Sequence, residues 1–272
     1  MPVIETPAAR LHYDQSGTGP DVLWLSAGDM PGSVWREFQT PAFDDRYRST
    51  TYDARGIGAT VDLAPSRFQI EDHAQDAAAL IQQVCDGPVA LVGLSMGSLI
   101  AQQLSFTHPE LVRCAVLMGT CARKTGFIRD WEQAEIDFRR SPRTWSPDLA
   151  TVHYSFLMYP AEVLGDDELW AKVRPIVERD YGARDDLELA AQWQACLDYD
   201  STDRLPHCTV PLHVLAFEQD VQTPPARGRQ VADLAPKGHF HLLEGMGHGS
   251  AYGHRPDEVN AAIAGVLATY PG

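Results

Sequence analysis

Leu91-Val92-Gly93-Leu94-Ser95-Met96-Gly97-Ser98-Leu99-Ile100-Ala101 joins an apolar run to a small-residue helix pattern through a serine between two glycines. Pro88 to Leu94 forms a short apolar run, and the residues beyond Ser95 carry the small and apolar spacing of a buried helix. Ser95 therefore stands at a strand-to-helix junction. Glycine at 93 and 97 suits a turn so sharp that flanking side chains would collide, and a serine there presents its Oγ at a helix N-terminus. The helix dipole and the amide of Met96 then face any oxyanion that develops beside it. G-x-S-x-G arises by chance in roughly one chain of this length in ten, so its surroundings decide its meaning.

Composition sets those surroundings. The chain has 272 residues, 44% hydrophobic and 22% charged, enough for one full α/β core that also carries an insertion. A formal net charge of −15 disfavours nucleic acid and anionic membrane surfaces as partners, since both would repel it. Met1 to Glu5 lacks the basic start and apolar segment of a secretory signal, and no later run is long enough to span a bilayer, so the expectation is a cytoplasmic protein acting on a small molecule. The oligomeric state is not legible. Five cysteines (Cys85, Cys114, Cys121, Cys196, Cys208) without a C-x-x-C indicate neither a disulfide framework nor a zinc site.

Outward from Ser95, the chain alternates strand and helix. Ala9 to Asp14 and Asp21 to Ser26 read as strands around the turn-rich Ser16 to Pro20, which suggests an antiparallel entry hairpin. Val22 to Leu25 is apolar throughout, as a strand covered on both faces should be, and runs into the glycine-bearing loop Ala27 to Ser33. That loop reads equally as a backbone-amide donor site and as an ordinary turn capped by Ser33. A helix over Ser33 to Phe43, a strand over Arg48 to Tyr52, a tight surface turn at Asp53 to Thr60 and a helix over Ile70 to Cys85 follow. The order calls for a doubly wound, mostly parallel sheet. Beyond Ser95 the helix runs to about Thr107, and Arg113 to Met118 is the next strand.

From Arg123 to Leu205 strand signals vanish, and Trp131, Phe138, Trp145, Phe156, Trp170 and Trp193 punctuate acidic, helix-compatible segments. The expected organisation is an α/β core over 1–122 and 206–272, with a helical cap over 123–205 whose aromatics form its own core or face a substrate. The sheet resumes at Pro211 to Phe217, a helix at Ala226 to Leu234 and a strand at His239 to Leu243. Asp220 lies just beyond the first of these strands, and His248, flanked by glycines, just beyond the second.

Ser95, Asp220 and His248, each following a strand, carry more meaning together than any does alone. An alcohol is a weak nucleophile at neutral pH, imidazole can take its proton, and a carboxylate can fix the tautomer and stabilise the imidazolium. His239 and His241 alternate along a strand at a spacing a metal could use, but no carboxylate or cysteine cluster accompanies them. Dinucleotide and Walker motifs are lacking, so no cofactor and no metal are expected.

With Gly93-Leu94-Ser95-Met96-Gly97, Asp53-Ala54-Arg55-Gly56-Ile57-Gly58, Phe217-Glu218-Gln219-Asp220 with Pro224, and Gly247-His248 followed by Arg255-Pro256-Asp257-Glu258-Val259, the chain resembles the α/β-hydrolase superfamily over nearly its whole length. Within it the likeness is to small capped esterases such as methylesterases and enol-lactone hydrolases. The resemblance implies Ser95 as nucleophile, Asp220 as acid, His248 as base and the Met96 amide in the oxyanion hole. Members often carry His-Gly after the strand that supplies the second oxyanion donor, whereas this chain has Ala27-Gly28-Asp29. By position the donor is the amide of Asp29, with Gly28 the alternative if the register slips by one. An Asp29 carboxylate beside a forming oxyanion would oppose it unless it points away or contacts the substrate.

The expected function is cofactor-free hydrolysis of a carboxylic ester, lactone or thioester of a small to medium apolar molecule through an acyl-enzyme on Ser95. The alternatives are a lyase or carbon–carbon bond hydrolase on the same scaffold, and a non-catalytic ligand-binding protein of hydrolase ancestry.

Overall fold

The computed structural model describes residues 2–63, 69–181 and 186–272; residues 64–68 of the predicted core and 182–185 of the predicted insertion lie outside the described residues. The chain runs β1 (Val3–Glu5), β2 (Ala9–Gly17), β3 (Asp21–Leu25), α1 (Ser33–Phe38), β4 (Arg48–Tyr52), β5 (Val61–Asp62), α2 (Ile70–Val84), β6 (Val89–Leu94) and α3 (Met96–Thr107). After β7 (Val112–Met118) come, among the described residues, the helices α4 (Phe127–Arg139), α5 (Pro147–Met158), α6 (Ala161–Gly165), α7 (Asp167–Tyr181) and α8 (Asp186–Asp198). Then β8 (Leu212–Phe217), α9 (Pro225–Leu234), β9 (Gly238–Leu243) and α10 (Pro256–Leu267) complete it.

The strands form one sheet in the order β1-β2-β4-β3-β6-β7-β8-β9, with β5 against β2. From β4 to β9 every neighbouring pair is parallel, while β2 is antiparallel to β1, β4 and β5. The fold is the mostly parallel, doubly wound sheet that the alternation of elements predicts. The entry hairpin is a correction: β2 does not pair with β3, because β4 lies between them. The burial patterns explain the exchange. β3 is buried at every position and occupies the centre, flanked by parallel β4 and β6, whereas β2 is only partly covered and sits towards the edge. A second correction shortens the helix expected over Ser33 to Phe43, which ends at Phe38 and gives way to a single 3-10 turn over Thr40–Ala42 that contains Pro41. Its N-cap is Gly32, and Ser33 is the first helical residue.

Strand periodicity divides the core into two layers. Leu23, Leu25 and Leu91 face the layer made by α2 and α3, and Val22, Trp24 and Val92 face the layer made by α1 and α10. Each fully buried leucine or valine contributes about 1.5–3 kcal/mol. α1 and α3 follow neighbouring strands, β3 and β6, yet pack on opposite faces. Their connecting loops diverge at the carboxyl ends of those strands, opening the crevice where doubly wound sheets bind ligands. The helices between β7 and β8 have a separate small core of Ala150, Tyr154, Met158, Tyr159, Val163, Val173 and Val177. Ala195 and Cys196 of α8 pack instead into the layer of α2 and α3, so α8 joins these helices to the sheet.

Candidate active site

Ser95 sits at the crevice, in the turn between β6 and α3. Its backbone adopts φ 54°, ψ −119°, a left-handed conformation that a side-chain-bearing residue occupies only under constraint. The constraint is visible. Ser95 N–H donates to Met118 O (2.9 Å), while Ser95 O accepts from Ser98 N (2.9 Å) and Leu99 N (3.3 Å). A Cβ on Gly97 would run into the Leu25 carbonyl, and one on Gly93 into the Gly97 carbonyl, so the close approach of helix to sheet requires both glycines. Met96 opens α3, placing its amide among the donors that a helix start leaves outside the intrahelical ladder.

Asp220 and His248 come together 28 residues apart in sequence. His248 Nδ1 lies 2.7 Å from Asp220 Oδ2, and since a carboxylate only accepts, Nδ1 carries the proton. That leaves Nε2 unprotonated, on a ring lining the same cavity as Ser95. Every acceptor position of the Asp220 carboxylate is directed. Oδ1 accepts from Gln222 N and Thr223 N (both 2.8 Å), and Oδ2 also accepts from Thr223 Oγ1 at 2.7 Å. Burial works to raise the Asp220 carboxyl, but the imidazole beside it and these hydrogen bonds outweigh it, holding the group below the usual carboxylate range. Glu218 is turned elsewhere, accepting from Gly245 N at 2.8 Å on the exposed side.

Asp29 also lines the cavity and has φ 66°. Its backbone N–H, assigned from sequence to the oxyanion hole, donates to Gln192 Oε1 of α8 at 2.8 Å, and Gln192 Nε2 donates to Arg55 O at 2.7 Å. Gln192 is completely buried. Asp53 holds the loop from the other side, Oδ1 accepting from Gly32 N (2.9 Å) and Oδ2 from Ala59 N (2.8 Å). Arg55 pairs with Asp76 of α2 through two bonds of 2.5 and 2.9 Å. The segment expected as a surface turn is therefore buried at Asp53, Ala54 and Arg55, where it ties the β3 loop, α2 and α8 together.

The cavity has a volume of about 50 Å³. Of the predicted aromatics, Trp131 and Trp193 line it with Tyr154, Leu157 and Met158, while Trp145 and Trp170 pack on the small core of α5 and α7, and Phe156 is exposed. Cys121 and Cys196 also reach it, but burial pushes both thiols up, Cys121 to about 11, leaving little thiolate. Sequence reasoning missed three contributors. Thr223 was readable from its place three residues after Asp220, the spacing of a side-chain-capped turn. Glu132 was readable as a charge on the buried stripe of α4, with Ile128, Glu135, Ile136 and Arg139. Gln192 had no local signal. Lys124 Nζ lies 3.4 Å from Glu132 Oε1 within the cavity wall. Burial pushes the Glu132 carboxyl up, with Lys124 and the more distant His248 pulling the other way.

His213, His239 and His241 lie on β8 and β9 and do not line the cavity; the His213 ring stacks on His239 at 4.4 Å and His241 at 5.6 Å, with its Nε2 2.9 Å from Tyr270 Oη. Among the described residues no group of three or more histidine, cysteine or acidic side chains is disposed to hold a metal ion.

The family model described as "Alpha/beta hydrolase family" matches residues 17–262. A Mycobacterium tuberculosis protein named "Putative non-heme bromoperoxidase BpoC" is 33% identical over 269 residues, covering 96% of this chain and 98% of its own. The solved structure of Rv0554 from Mycobacterium tuberculosis superposes with a TM-score of 0.90 at 30% identity, over 97% of this chain and 95% of that one. The enol-lactonase from Burkholderia xenovorans LB400 shares the fold, with a TM-score of 0.86 at 20% identity over 98% of this chain and all of its own. The chain belongs to the α/β-hydrolase family.

Proposed function

We propose that the protein is a serine hydrolase that cleaves a carboxylic ester, lactone or thioester of a small to medium molecule. The observation that carries this reading is the short His248–Asp220 hydrogen bond in the cavity where Ser95 stands at the strained turn. His248 Nε2 takes the proton of Ser95 Oγ as the oxygen attacks the acyl carbon, and returns it to the departing alcohol, thiol or ring oxygen. Water, deprotonated by the same nitrogen, then attacks the acyl-enzyme, releasing the acid and regenerating Ser95. The Met96 amide holds the oxyanion in both steps. The Asp29 amide joins it when Gln192 Oε1 yields its place. Residues 123–205 act as the cap, supplying Trp131, Trp193 and Met158 to exclude water. The partner is a small molecule, and the chemistry uses neither metal nor cofactor.

The name of the mycobacterial relative brings a second reading, bromide oxidation. Hydrogen peroxide attacking the same acyl-enzyme in place of water would give a peracid, which passes oxygen to bromide and leaves the carboxylic acid. Assaying p-nitrophenyl acetate and butyrate, with and without peroxide and bromide, separates the two. The proposal expects ester cleavage without either addition and its loss in Ser95→Ala; cleavage surviving that substitution would overturn it.

A further inference from the structure

Lys124 and Glu132 put a full charge pair into the cavity wall, alongside Leu99, Trp131, Leu157, Met158 and Trp193. Their side chains are only 9% and 6% exposed. Glu132 Oε1 faces the ammonium, but Glu132 Oε2 is buried with no hydrogen-bond partner among the described residues. Glu132 is likewise the one ion partner of Lys124 among them, so two of the three ammonium donors are uncommitted to an acid. A buried ion pair is often no more stabilising than an apolar pair of similar volume, and a buried carboxylate oxygen without a donor is costly to keep. Its place on the cavity wall, beside Ser95 and His248, points to a ligand as the missing donor.

We propose that Lys124 and Glu132 form the polar recognition subsite of the pocket, taking a neutral substrate group that both donates and accepts: a hydroxyl or a secondary amide near the scissile bond. This rests on the ester-hydrolase reading and replaces a wholly apolar substrate with one that carries a single polar handle. Glu132 Oε2 accepts from the substrate O–H or N–H, and Lys124 Nζ donates to its oxygen. Neutrality follows from the pair itself. Its charges cancel, so a substrate carboxylate or ammonium would enter the cavity uncompensated, or would break the pair and strand one member.

The test compares kcat/KM within two matched ester pairs, one for each side of the scissile bond: p-nitrophenyl 3-hydroxybutyrate against p-nitrophenyl butyrate, and 2-hydroxyethyl butyrate against propyl butyrate. Wild-type protein favours the hydroxylated member of at least one pair by at least about tenfold, as expected of a site left with an unpaired polar atom by the other member. In Lys124→Met/Glu132→Leu, which keeps the volume and removes the pair, that ratio falls to about one or below. A wild-type ratio near one in both pairs overturns the subsite whatever the variant does, as does a preference that survives in the folded double variant. If the plain esters are cleaved and a fluorophosphonate labels Ser95 while the ratios stay near one, the subsite alone falls. Without cleavage or labelling, both readings fall.

Discussion

At Ser95 the proposed reactivity and the backbone strain share one residue. A positive φ on a residue with a Cβ costs of order 1–3 kcal/mol, and the hydrogen bonds to Met118, Ser98 and Leu99 hold it in place. Ser95→Ala therefore keeps the fold and lowers ester turnover by at least about a thousandfold, measured as kcat. Ser95→Gly also abolishes turnover, but it relieves the strain. It is expected to unfold in denaturant with about 1 kcal/mol more stability than Ser95→Ala; equal stabilities would mean that the turn stores no strain. The carboxylates separate in the same way. Asp220→Asn keeps the loop but presents the wrong partner to His248 Nδ1, lowering kcat by several orders of magnitude, whereas Glu218→Gln costs tenfold or less. Reversal of that ranking in steady-state kinetics would contradict the geometry.

Among elements, the junction of β6 and α3 is set by close backbone approach. Gly97→Ala pushes a methyl group into the Leu25 carbonyl, and the expected result is loss of soluble folded protein or destabilisation beyond about 3 kcal/mol in urea titrations. α8 is held in part by a buried polar contact. Gln192→Leu strips the Arg55 carbonyl of its donor and is expected to cost about 1–3 kcal/mol. The contrast shows what was legible in the sequence. The β6–α3 turn announces itself because its constraints are local: the glycines, the serine and the apolar run lie within eleven residues. Asp220 and His248 were readable because each follows a strand end, where an open sheet keeps its functional groups. Gln192 was hidden because its partners, Asp29 and Arg55, lie more than 130 residues away in sequence, and nothing near it says which way α8 docks. The neighbours of β2 were misread for a related reason. The turn-rich Ser16 to Pro20 suggested a hairpin, but the need to bury β3 on both faces placed β4 between the two strands.

Across the whole molecule, burial makes stability depend on pH. His73 on α2 is fully buried, and desolvation, with the charge of Arg55 adding to it, brings its imidazole from 6.5 down to about 3. His213 is lowered to about 4 by burial and its two histidine neighbours. Both bind protons more readily unfolded than folded. Their contribution is complete above about pH 6.5, declines as pH falls below that value, and is gone once the folded-state values are passed. The free energy of unfolding should drop by up to about 1.4 kcal/mol per pH unit for each such group between about pH 6 and pH 4. His73→Leu should flatten the slope in chemical denaturation at several pH values; an unchanged slope would show that His73 protonates without opening the fold. Among the described residues no helix is long and apolar enough to cross a membrane.

We propose that Ser95 is the nucleophile, activated by His248 and Asp220. Intact-protein mass spectrometry after reaction with a fluorophosphonate, followed by peptide mapping, tests it most directly. The expected result is a single adduct on Ser95, forming at least about a hundredfold more slowly in His248→Ala. A protein that cleaves esters yet stays unlabelled, carries its adduct elsewhere, or labels at the same rate without His248 would contradict it.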